Sequence, residues 1–343
     1  MPNKTQLILH IGAPKVASST IQQYLKQNAF KYFNEGILIV DKNLNFVSPQ
    51  KKDPELGAST IIKKFQDNEF TPETIVSKFK KISKKANDMS LTKLICSIEN
   101  LSPVEDKRSE RMGILFKQLK DEFDFKIIYY IRKQDEWLES AWKQWALKMN
   151  TPPFHIWIRG RAQKKWPSFW DSAKLWSDTI GLDNFLLGVL HGPALKNQSI
   201  ISDFCQKSEI KEFELDEMII ANPMLDPDIL NFIHRNRETI LTDENDNWLY
   251  DELARLGIGI AEKGKRFLNE KERDYILNYF KKDNQNLIEY FMPDSQKQLA
   301  PYFGLDRDLS AGEKPTEKEN KLQEIEATLA ATIALLCESG KFK

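Results

Sequence analysis

Residues 7–25 read LILHIGAPKVASSTIQQYL, and this stretch decides the fold. The apolar run 7–11 contains β-branched residues and is typical of a buried strand. Residues 12–14 end that strand, and the hydroxyl residues 18–20 begin an amphipathic helix. The first N–H groups of a helix lack backbone partners, and the helix dipole favours negative charge there. The stretch therefore predicts a phosphate-binding loop, to which Lys15 adds a positive charge.

The loop differs from the Walker A motif of P-loop NTPases. That motif requires G-x-x-x-x-G-K-[ST], whereas no glycine directly precedes Lys15 in this chain. Because short motifs produce many false matches, a plain strand–turn–helix with a surface lysine stays open as an alternative.

Composition limits the classes of function. The chain has 343 residues, 41% of them hydrophobic, which is enough for one large domain or two ordinary ones with a real core. Its 50 basic and 50 acidic residues balance, which disfavours bulk nucleic-acid binding. The three cysteines, Cys96, Cys205 and Cys337, are widely spaced, which argues against a disulfide scaffold or a zinc site and suits a reducing compartment.

The sequence also predicts where the protein is found. Its first residues, MPNKTQLILHIG, lack the features of a signal peptide. No apolar run approaches the roughly 20 residues needed to span a bilayer. We therefore expect a soluble, cytoplasmic protein without a transmembrane segment.

Short apolar runs alternate with amphipathic stretches through the first two thirds of the chain. The predicted strands are 7–11, 36–40, 93–98, 125–131 and 184–190. This alternation indicates an α/β fold with a central parallel sheet covered on both faces and its ligand site at the carboxyl ends of the strands. From about residue 195 the pattern becomes helical, with predicted helices at 198–207, 225–240, 245–256, 269–281, 284–291 and 316–336.

A second segment, FKIIYYIRKQDEWLESAWKQW, adds another anion-binding pair. Arg132 directly follows the predicted strand 125–131, and Ser140 lies about two turns into the next helix. An arginine presents a planar fork to a phosphate, and a serine adds a directed hydroxyl donor. A surface arginine and a solvent-facing serine are the plain alternatives.

Together, the two segments resemble sulfotransferases that use 3′-phosphoadenosine 5′-phosphosulfate (PAPS) as donor. Their loop runs roughly P-K-[ST]-G-T-[ST], or K-x-A-S-S-T in carbohydrate sulfotransferases, and this chain has P-K-V-A-S-S-T at 14–20. The resemblance covers roughly residues 7–290 and is closest to bacterial members. It implies a three-layer α/β/α fold of the P-loop NTPase-like type over 1–310. Residues 311–343 lie outside the resemblance, and their pattern predicts a charged tail with an amphipathic helix.

The resemblance also implies how the donor is bound. Arg132 and Ser140 would hold the 3′-phosphate, and no metal is implied. Adenosine 3′,5′-bisphosphate (PAP) would be the product. The residues implied for donor binding are Pro14, Lys15, Val16, Ala17, Ser18, Ser19, Thr20, Arg132 and Ser140.

Two residues of the loop depart from the family pattern. Val16 replaces a residue whose hydroxyl could contact phosphate. Ala17 replaces glycine, which predicts that the loop avoids a positive φ at this position. Lys15 and the hydroxyls of 18–19 are retained, so we expect the departure to be tolerated.

A sulfotransferase acting on a hydroxyl needs a general base, and Glu99 is the first candidate because it follows the third predicted strand. Lys15 is the second catalytic candidate, as the cation that stabilises the transferring group. Glu99 could instead be a structural carboxylate paired with a lysine. His10, within the first strand, is expected to be a satisfied core histidine or a loop-orienting group, and His155 and His191 are further candidates for the base.

The acceptor side is predicted from a cluster of aromatic and basic residues. Seven of the eight tryptophans fall between Trp137 and Trp176, among several lysines and arginines. Such residues stack on sugar rings and attract anions, which favours a glycan or glycolipid acceptor contacted by Glu99, His155, Trp157 and Arg159. An insertion packed by its own tryptophans is the alternative.

Two other functions stay open. One is a P-loop kinase-like phosphotransferase, and the other is a non-catalytic nucleotide- or anion-binding scaffold. The sequence leaves the acceptor and any homo-oligomer undetermined.

Overall fold

The computed structural model describes residues 4–101, 107–145, 151–214, 225–240, 253, 266–316, 329, 330 and 333. Within them lies one sheet of five strands. The strands are β1 (Gln6–His10), β2 (Ile37–Ile39), β3 (Lys93–Ser97), β4 (Asp124–Ile131) and β5 (Phe185–Val189). All neighbours pair in parallel, in the order β2-β3-β1-β4-β5. The α/β class and the parallel central sheet are therefore confirmed.

The strand order changes direction between β1 and β4. From β1 the chain proceeds to β2 on one side, and from β4 it proceeds to β5 on the other. Ligands of open parallel sheets bind at such a switch point, outside the carboxyl ends of the strands. The loop that follows β1 and Arg132, which follows β4, both begin at this edge.

Helices connect and flank the strands. They are α1 (Ser18–Gln27), α2 (Ala29–Asn34), α3 (Thr60–Gln66), α4 (Pro72–Asp88), α5 (Lys107–Glu122), α6 (Gln134–Trp145), α7 (Phe154–Gln163), α8 (Phe169–Ile180), α9 (Ile200–Lys207), α10 (Pro227–Arg235), α11 (Arg237–Ile240), α12 (Glu270–Phe291) and α13 (Gln296–Tyr302). A short 3-10 turn, Glu99–Leu101, follows β3. None of the described helices has the length and apolar character of a membrane span.

Several helices differ from the sequence prediction. The region 41–70, predicted to be mostly loop, contains α3, whose first turn is capped by Ser59. The two predicted helices 269–281 and 284–291 form the single helix α12, because buried residues from Ile276 to Ile288 continue one apolar face. Most of the predicted helices 245–256 and 316–336 lies outside the described residues.

The chain divides into two compact units. Unit 1 comprises Met1–Lys133, Ser168–Ile219 and Asp283–Tyr302 and contains the whole sheet. Unit 2 comprises Gln134–Pro167, Ile220–Lys282 and Phe303–Lys343. In unit 2, the Trp142 ring packs edge-on against Phe154 and Phe267, with ring centroids 5.3 Å apart in both pairs. The predicted division at residue 310 stays a prediction.

Candidate functional site

The loop between β1 and α1, residues 11–17, is the centre of the candidate site in unit 1. Ile11, Ala13 and Val16 are buried and hold the loop against the body of the unit. Val16 is fully buried, so its side chain belongs to the core. Of the residues implied for donor binding, Val16 can therefore contact a ligand only through its backbone.

Gly12 forms a turn in which a larger residue does not fit. A methyl group at position 12 would lie 2.4 Å from the Ser18 Oγ atom and 3.1 Å from the His10 Nε2 atom. The first distance is far below a normal contact, so the absence of a side chain lets the loop close over β1.

Two residues of the loop have unusual backbone conformations. Lys15 has a φ of 66° and Ala17 a φ of 63°, both in the left-handed region. This conformation costs a residue with a Cβ atom roughly 1–2 kcal/mol. Strained residues of this kind cluster at functional sites, where the surrounding structure enforces them. The expectation that Ala17 avoids a positive φ is therefore wrong: the turn into α1 requires this conformation, and the small methyl group tolerates it.

The N-terminus of α1 is open. Its N-cap residue is Ala17, and no side chain caps the helix. The amides of Thr20 and Ile21 both bond the Ala17 carbonyl, at 3.0 and 3.2 Å. The N–H groups of Ser18 and Ser19 come before these bonded amides and, together with the helix dipole, form a site that suits a phosphate or sulfate group.

The hydroxyl residues of the first turn have different environments. Ser18 is buried, and its Oγ atom lies 3.4 Å from the Ala13 carbonyl oxygen, to which it donates. Ser19 is exposed and Thr20 is half-buried. Ser18 therefore supports the loop, whereas Ser19 and Thr20 are accessible to a ligand.

Glu99 and Lys15 lie close enough to interact. Burial raises the pKa of the Glu99 carboxyl, and a hydrogen bond from Gln22 and the charge of Lys15 both oppose that rise. A half-buried carboxylate with a raised pKa next to a cation has the properties of a general base. The structure thus brings together the two predicted catalytic residues.

His10 lies directly beneath the loop. Its Nδ1 atom is 2.8 Å from Ser97 Oγ, and its ring packs edge-on against Tyr130 and Phe204. Burial lowers the pKa of His10 to about 3, so the imidazole is neutral at physiological pH. Ser97 also accepts a hydrogen bond from Gln22, at 3.3 Å. Sequence reasoning identified neither Gln22 nor Ser97, because neither belongs to a known motif.

Arg132 follows β4 in unit 1 and is half-buried. The backbone N–H of the next residue, Lys133, donates a hydrogen bond to the Tyr302 hydroxyl at 3.1 Å. The Tyr302 ring stacks on His191 with centroids 4.1 Å apart. His191, a candidate for the base, therefore has one face of its ring covered.

Ser140 lies in α6, which belongs entirely to unit 2, and it is half-buried. The predicted succession of a strand, Arg132 and then a helix carrying Ser140 is confirmed. That the two side chains share a phosphate stays a prediction.

Of the four residues predicted to bind the acceptor, Glu99 lies in unit 1, and the other three lie on α7 in unit 2. His155 and Arg159 are half-buried, but Trp157 is only 6% exposed. Trp157 packs against Trp166, and the Arg161 guanidinium lies over both rings, 5.4 and 4.3 Å from their centroids. This cluster fits the alternative of an insertion packed by its own tryptophans, and it leaves Trp157 little surface for a sugar.

A buried ion cluster anchors α6 within unit 2. Arg273 donates to Asp135 Oδ2 at 2.7 Å and to Glu139 Oε1 at 3.1 Å. Both carboxylates are at most 1% exposed. Burial raises the pKa of Glu139, and the Arg273 charge opposes that rise. The helix that carries Ser140 is thus held by charges that sequence reasoning did not identify.

Within the described parts of the chain, no three His, Cys, Asp or Glu side chains are grouped as metal ligands. The donor set of the loop consists of backbone N–H groups, hydroxyls and one lysine, which fits a phosphate-type anion. The expectation of metal-free chemistry stays a prediction.

Comparison with known proteins identifies no family. No family model matches the chain, and no solved structure does. An uncharacterized protein of Archaeoglobus fulgidus is 28% identical over 182 residues, which are 51% of this chain and 48% of the relative. The chain thus spans about half the length of the curated relative it matches.

Proposed function

We propose that the protein is a PAPS-dependent sulfotransferase that transfers a sulfuryl group to a hydroxyl of an acceptor. The observation that carries this proposal is the pair of positive φ values at Lys15 and Ala17, directly before the uncapped N-terminus of α1. Strain at two positions of an anion-binding loop, separated only by Val16, supports a site for a phosphate-type ligand. The P-K-V-A-S-S-T segment and the pair Arg132 and Ser140 favour PAPS over other nucleotides.

The proposed reaction is an in-line transfer. The acceptor oxygen attacks sulfur as its proton passes to Glu99, and the bond from sulfur to the 5′-phosphate oxygen breaks. The electron pair of that bond stays with the phosphate oxygen of PAP, where Lys15 and the first-turn N–H groups of α1 stabilise the charge. Glu99→Gln is then expected to abolish transfer and to leave PAP binding within about twofold, because the base acts only on the acceptor.

The acceptor is proposed to be a glycan or glycolipid. His155 and Arg159 are half-buried and can contact such a molecule, whereas the burial of Trp157 makes it a weaker candidate. Replacing Arg159 by Ala is expected to raise the acceptor KM, and replacing Trp157 by Ala is expected to act mainly through stability.

Calorimetry with PAP tests the donor site. Wild type is expected to bind PAP without Mg²⁺, and Lys15→Ala and Arg132→Ala should each weaken binding about 10–100-fold, the usual effect of losing a hydrogen bond to a charged group. Lys26→Ala removes an exposed lysine from the last turn of α1 and is the matched control. Ser140→Ala should weaken binding less, because a hydroxyl carries no charge.

The same titration separates the alternatives. Binding of ATP with Mg²⁺ in preference to PAP would support a kinase-like phosphotransferase. Tight PAP binding without any sulfated product across acceptor panels would favour the non-catalytic scaffold. Absence of binding to any of these nucleotides would contradict the proposal.

A further inference from the structure

Glu99 is connected to His10 by a chain of buried hydrogen bonds. The Gln22 side chain bonds the Glu99 carboxylate. The Gln22 Nε2 atom also donates to Ser97 Oγ at 3.3 Å, and Ser97 Oγ is 2.8 Å from His10 Nδ1. Gln22 is 7% exposed, and Ser97 and His10 are each 1% exposed. The three residues come from α1, β3 and β1, so the chain joins the elements on which the candidate site is built.

The donors in this chain can be assigned by counting hydrogens. A carboxylate only accepts, and the Gln22 amide nitrogen has two hydrogens, one for Glu99 and one for Ser97. Ser97 Oγ accepts from Gln22 and retains its own hydrogen, and in the arrangement that we assign it donates this hydrogen to His10 Nδ1. This assignment leaves the proton of the neutral His10 ring on Nε2.

The Nε2 atom of His10 faces the turn that begins the loop. It is buried and has no hydrogen-bond partner among the residues that the structure describes. A methyl group at Gly12 would lie 3.1 Å from it, so the end of the ring borders the space that a side chain at position 12 would occupy. Tyr130 and Phe204 close the sides of the ring. The ring is thus fixed between the loop above it and Ser97.

We propose that Gln22 is a positioning residue for Glu99: its amide holds the carboxylate next to the loop and links it through Ser97 to His10 at the base of Gly12. The amide donor favours the ionised form of the carboxylate and holds it in one orientation, in which it can accept a proton. This role rests on the proposed function, because it takes Glu99 to be the general base. The hydrogen bonds from Glu99 to His10 can nevertheless be tested in the protein without any substrate.

The decisive variant is Gln22→Met, which keeps the length of the side chain and removes both of its hydrogen-bond donors. In this variant, Glu99 still faces the charge of Lys15, which lowers its pKa, and it is still partly buried, which raises its pKa. Loss of the amide donor removes an interaction with the charged form, so the pKa of Glu99 should rise above its wild-type value. Gln27→Met, at the half-buried end of the same helix, is the matched control and should leave that pKa unchanged.

The pKa is measured by carbon-13 NMR of the full chain labelled at the glutamate carboxyl carbons, with the Glu99 signal assigned by its loss in Glu99→Gln. Nitrogen-15 spectra of the four histidines, with His10 assigned by its loss in His10→Asn, report the protonated ring nitrogen. We expect His10 to carry its proton on Nε2 in wild type, and Ser97→Ala to produce a mixture of both tautomers.

An unchanged Glu99 pKa in a folded Gln22→Met protein would overturn the proposal. Should Gln22→Met fail to fold, Ser97→Ala provides the second test, and a single unaltered tautomer of His10 in that variant would overturn the link to Ser97. If the protein transfers sulfate, the acidic limb of its pH–rate profile should move to higher pH in Gln22→Met while PAP binding is retained. Failure of PAP binding in wild type would remove the proposed function, whereas the two NMR results would still decide the network.

Discussion

The Nδ1 atom of His10 lies 2.8 Å from the Oγ atom of Ser97, and this bond joins the last residues of two neighbouring strands. The two residues are paired in the parallel register of β1 and β3. The loop starts directly after His10, and Glu99 follows Ser97 by two residues. The bond thus fixes the two chain segments from which the loop and the candidate base emerge.

The neutral state of His10 predicts a pH dependence of stability. Its pKa is lowered from 6.5 to about 3 by burial, so below pH 6.5 the unfolded chain takes up a proton that the folded protein does not. The stability that the neutral His10 contributes is therefore fully present above pH 6.5, and it is lost as the pH falls towards 3. The contribution of this one group is about 1.4 kcal/mol for each pH unit in that window.

Denaturant unfolding of wild type and His10→Asn between pH 7 and pH 4 measures this contribution. The asparagine keeps an acceptor for Ser97 but does not titrate. The free energy of unfolding of His10→Asn should therefore fall less steeply with decreasing pH than that of wild type. Equal slopes for the two proteins would show that His10 is protonated in the folded state.

A methyl group at position 12 would clash with the Ser18 hydroxyl, and removing that hydroxyl should relieve part of the clash. Gly12→Ala is expected to lower the free energy of unfolding by about 1–3 kcal/mol, because its methyl group would meet Ser18 Oγ at 2.4 Å. The double variant Gly12→Ala, Ser18→Ala removes that oxygen and should recover part of the loss in thermal unfolding. A double variant no more stable than Gly12→Ala would mean that the backbone, rather than Ser18, resists the methyl group.

The sheet could be predicted from the sequence because each buried strand is a short apolar run between turn residues. All five predicted strands are confirmed, with ends that differ by no more than one residue. The helix α7 was not predicted, because Pro152 and Pro153 precede it and Gly160 interrupts its pattern. Packing of Trp157 against Trp166, which follows the helix, outweighs that weak local propensity.

The candidate site was predictable only in part. Lys15 and Glu99 follow strands whose positions the sequence indicates, so their common edge could be inferred. Gln22 and Ser97 were missed because their role depends on contacts between residues 75 positions apart, which no local pattern encodes. Ala17 was misjudged for a related reason: the preference of a single residue does not reveal a conformation that the surrounding structure enforces.

The left-handed conformation of Ala17 predicts an unusual response to glycine. Ala17→Gly relieves strain of roughly 1–2 kcal/mol and loses about as much through the greater freedom of the unfolded chain, so its net effect should be within about 1 kcal/mol. Ala86→Gly, within α4, is the matched control and should destabilise by at least about 1 kcal/mol. Denaturant unfolding distinguishes the two, and equal losses would contradict the left-handed conformation.

The raised pKa of Glu99 predicts that this residue destabilises the fold at neutral pH. Burial favours its protonated form in the folded state, so stability from this group is present at low pH and is lost as the pH rises above the ordinary carboxyl value of 4.5. Glu99→Gln should therefore raise Tm at pH 8 by about 2 °C, and the difference should shrink towards pH 4. A variant less stable than wild type at pH 8 would show that the Lys15 charge outweighs burial.

The ion cluster in unit 2 predicts a large effect of one arginine and a small effect of another. Arg273→Met leaves the buried carboxylates of Asp135 and Glu139 without their guanidinium and should cost about 3–5 kcal/mol of unfolding free energy. Arg307→Met is the matched control: it breaks a pair with Asp274 in which the arginine side chain is 44% exposed, and it should cost about 0–1 kcal/mol.

Denaturant unfolding compares the two arginine variants, and equal losses would mean that water reaches the buried carboxylates. Neutralising the three bonded residues together, by Asp135→Asn and Glu139→Gln with Arg273→Met, should restore much of the stability, because the two buried carboxylates are then no longer charged. Since α6 also carries Ser140, the comparison tests the donor site as well. Under conditions where Arg273→Met is still folded, it should weaken PAP binding only if Ser140 contacts the nucleotide, whereas Arg307→Met should not.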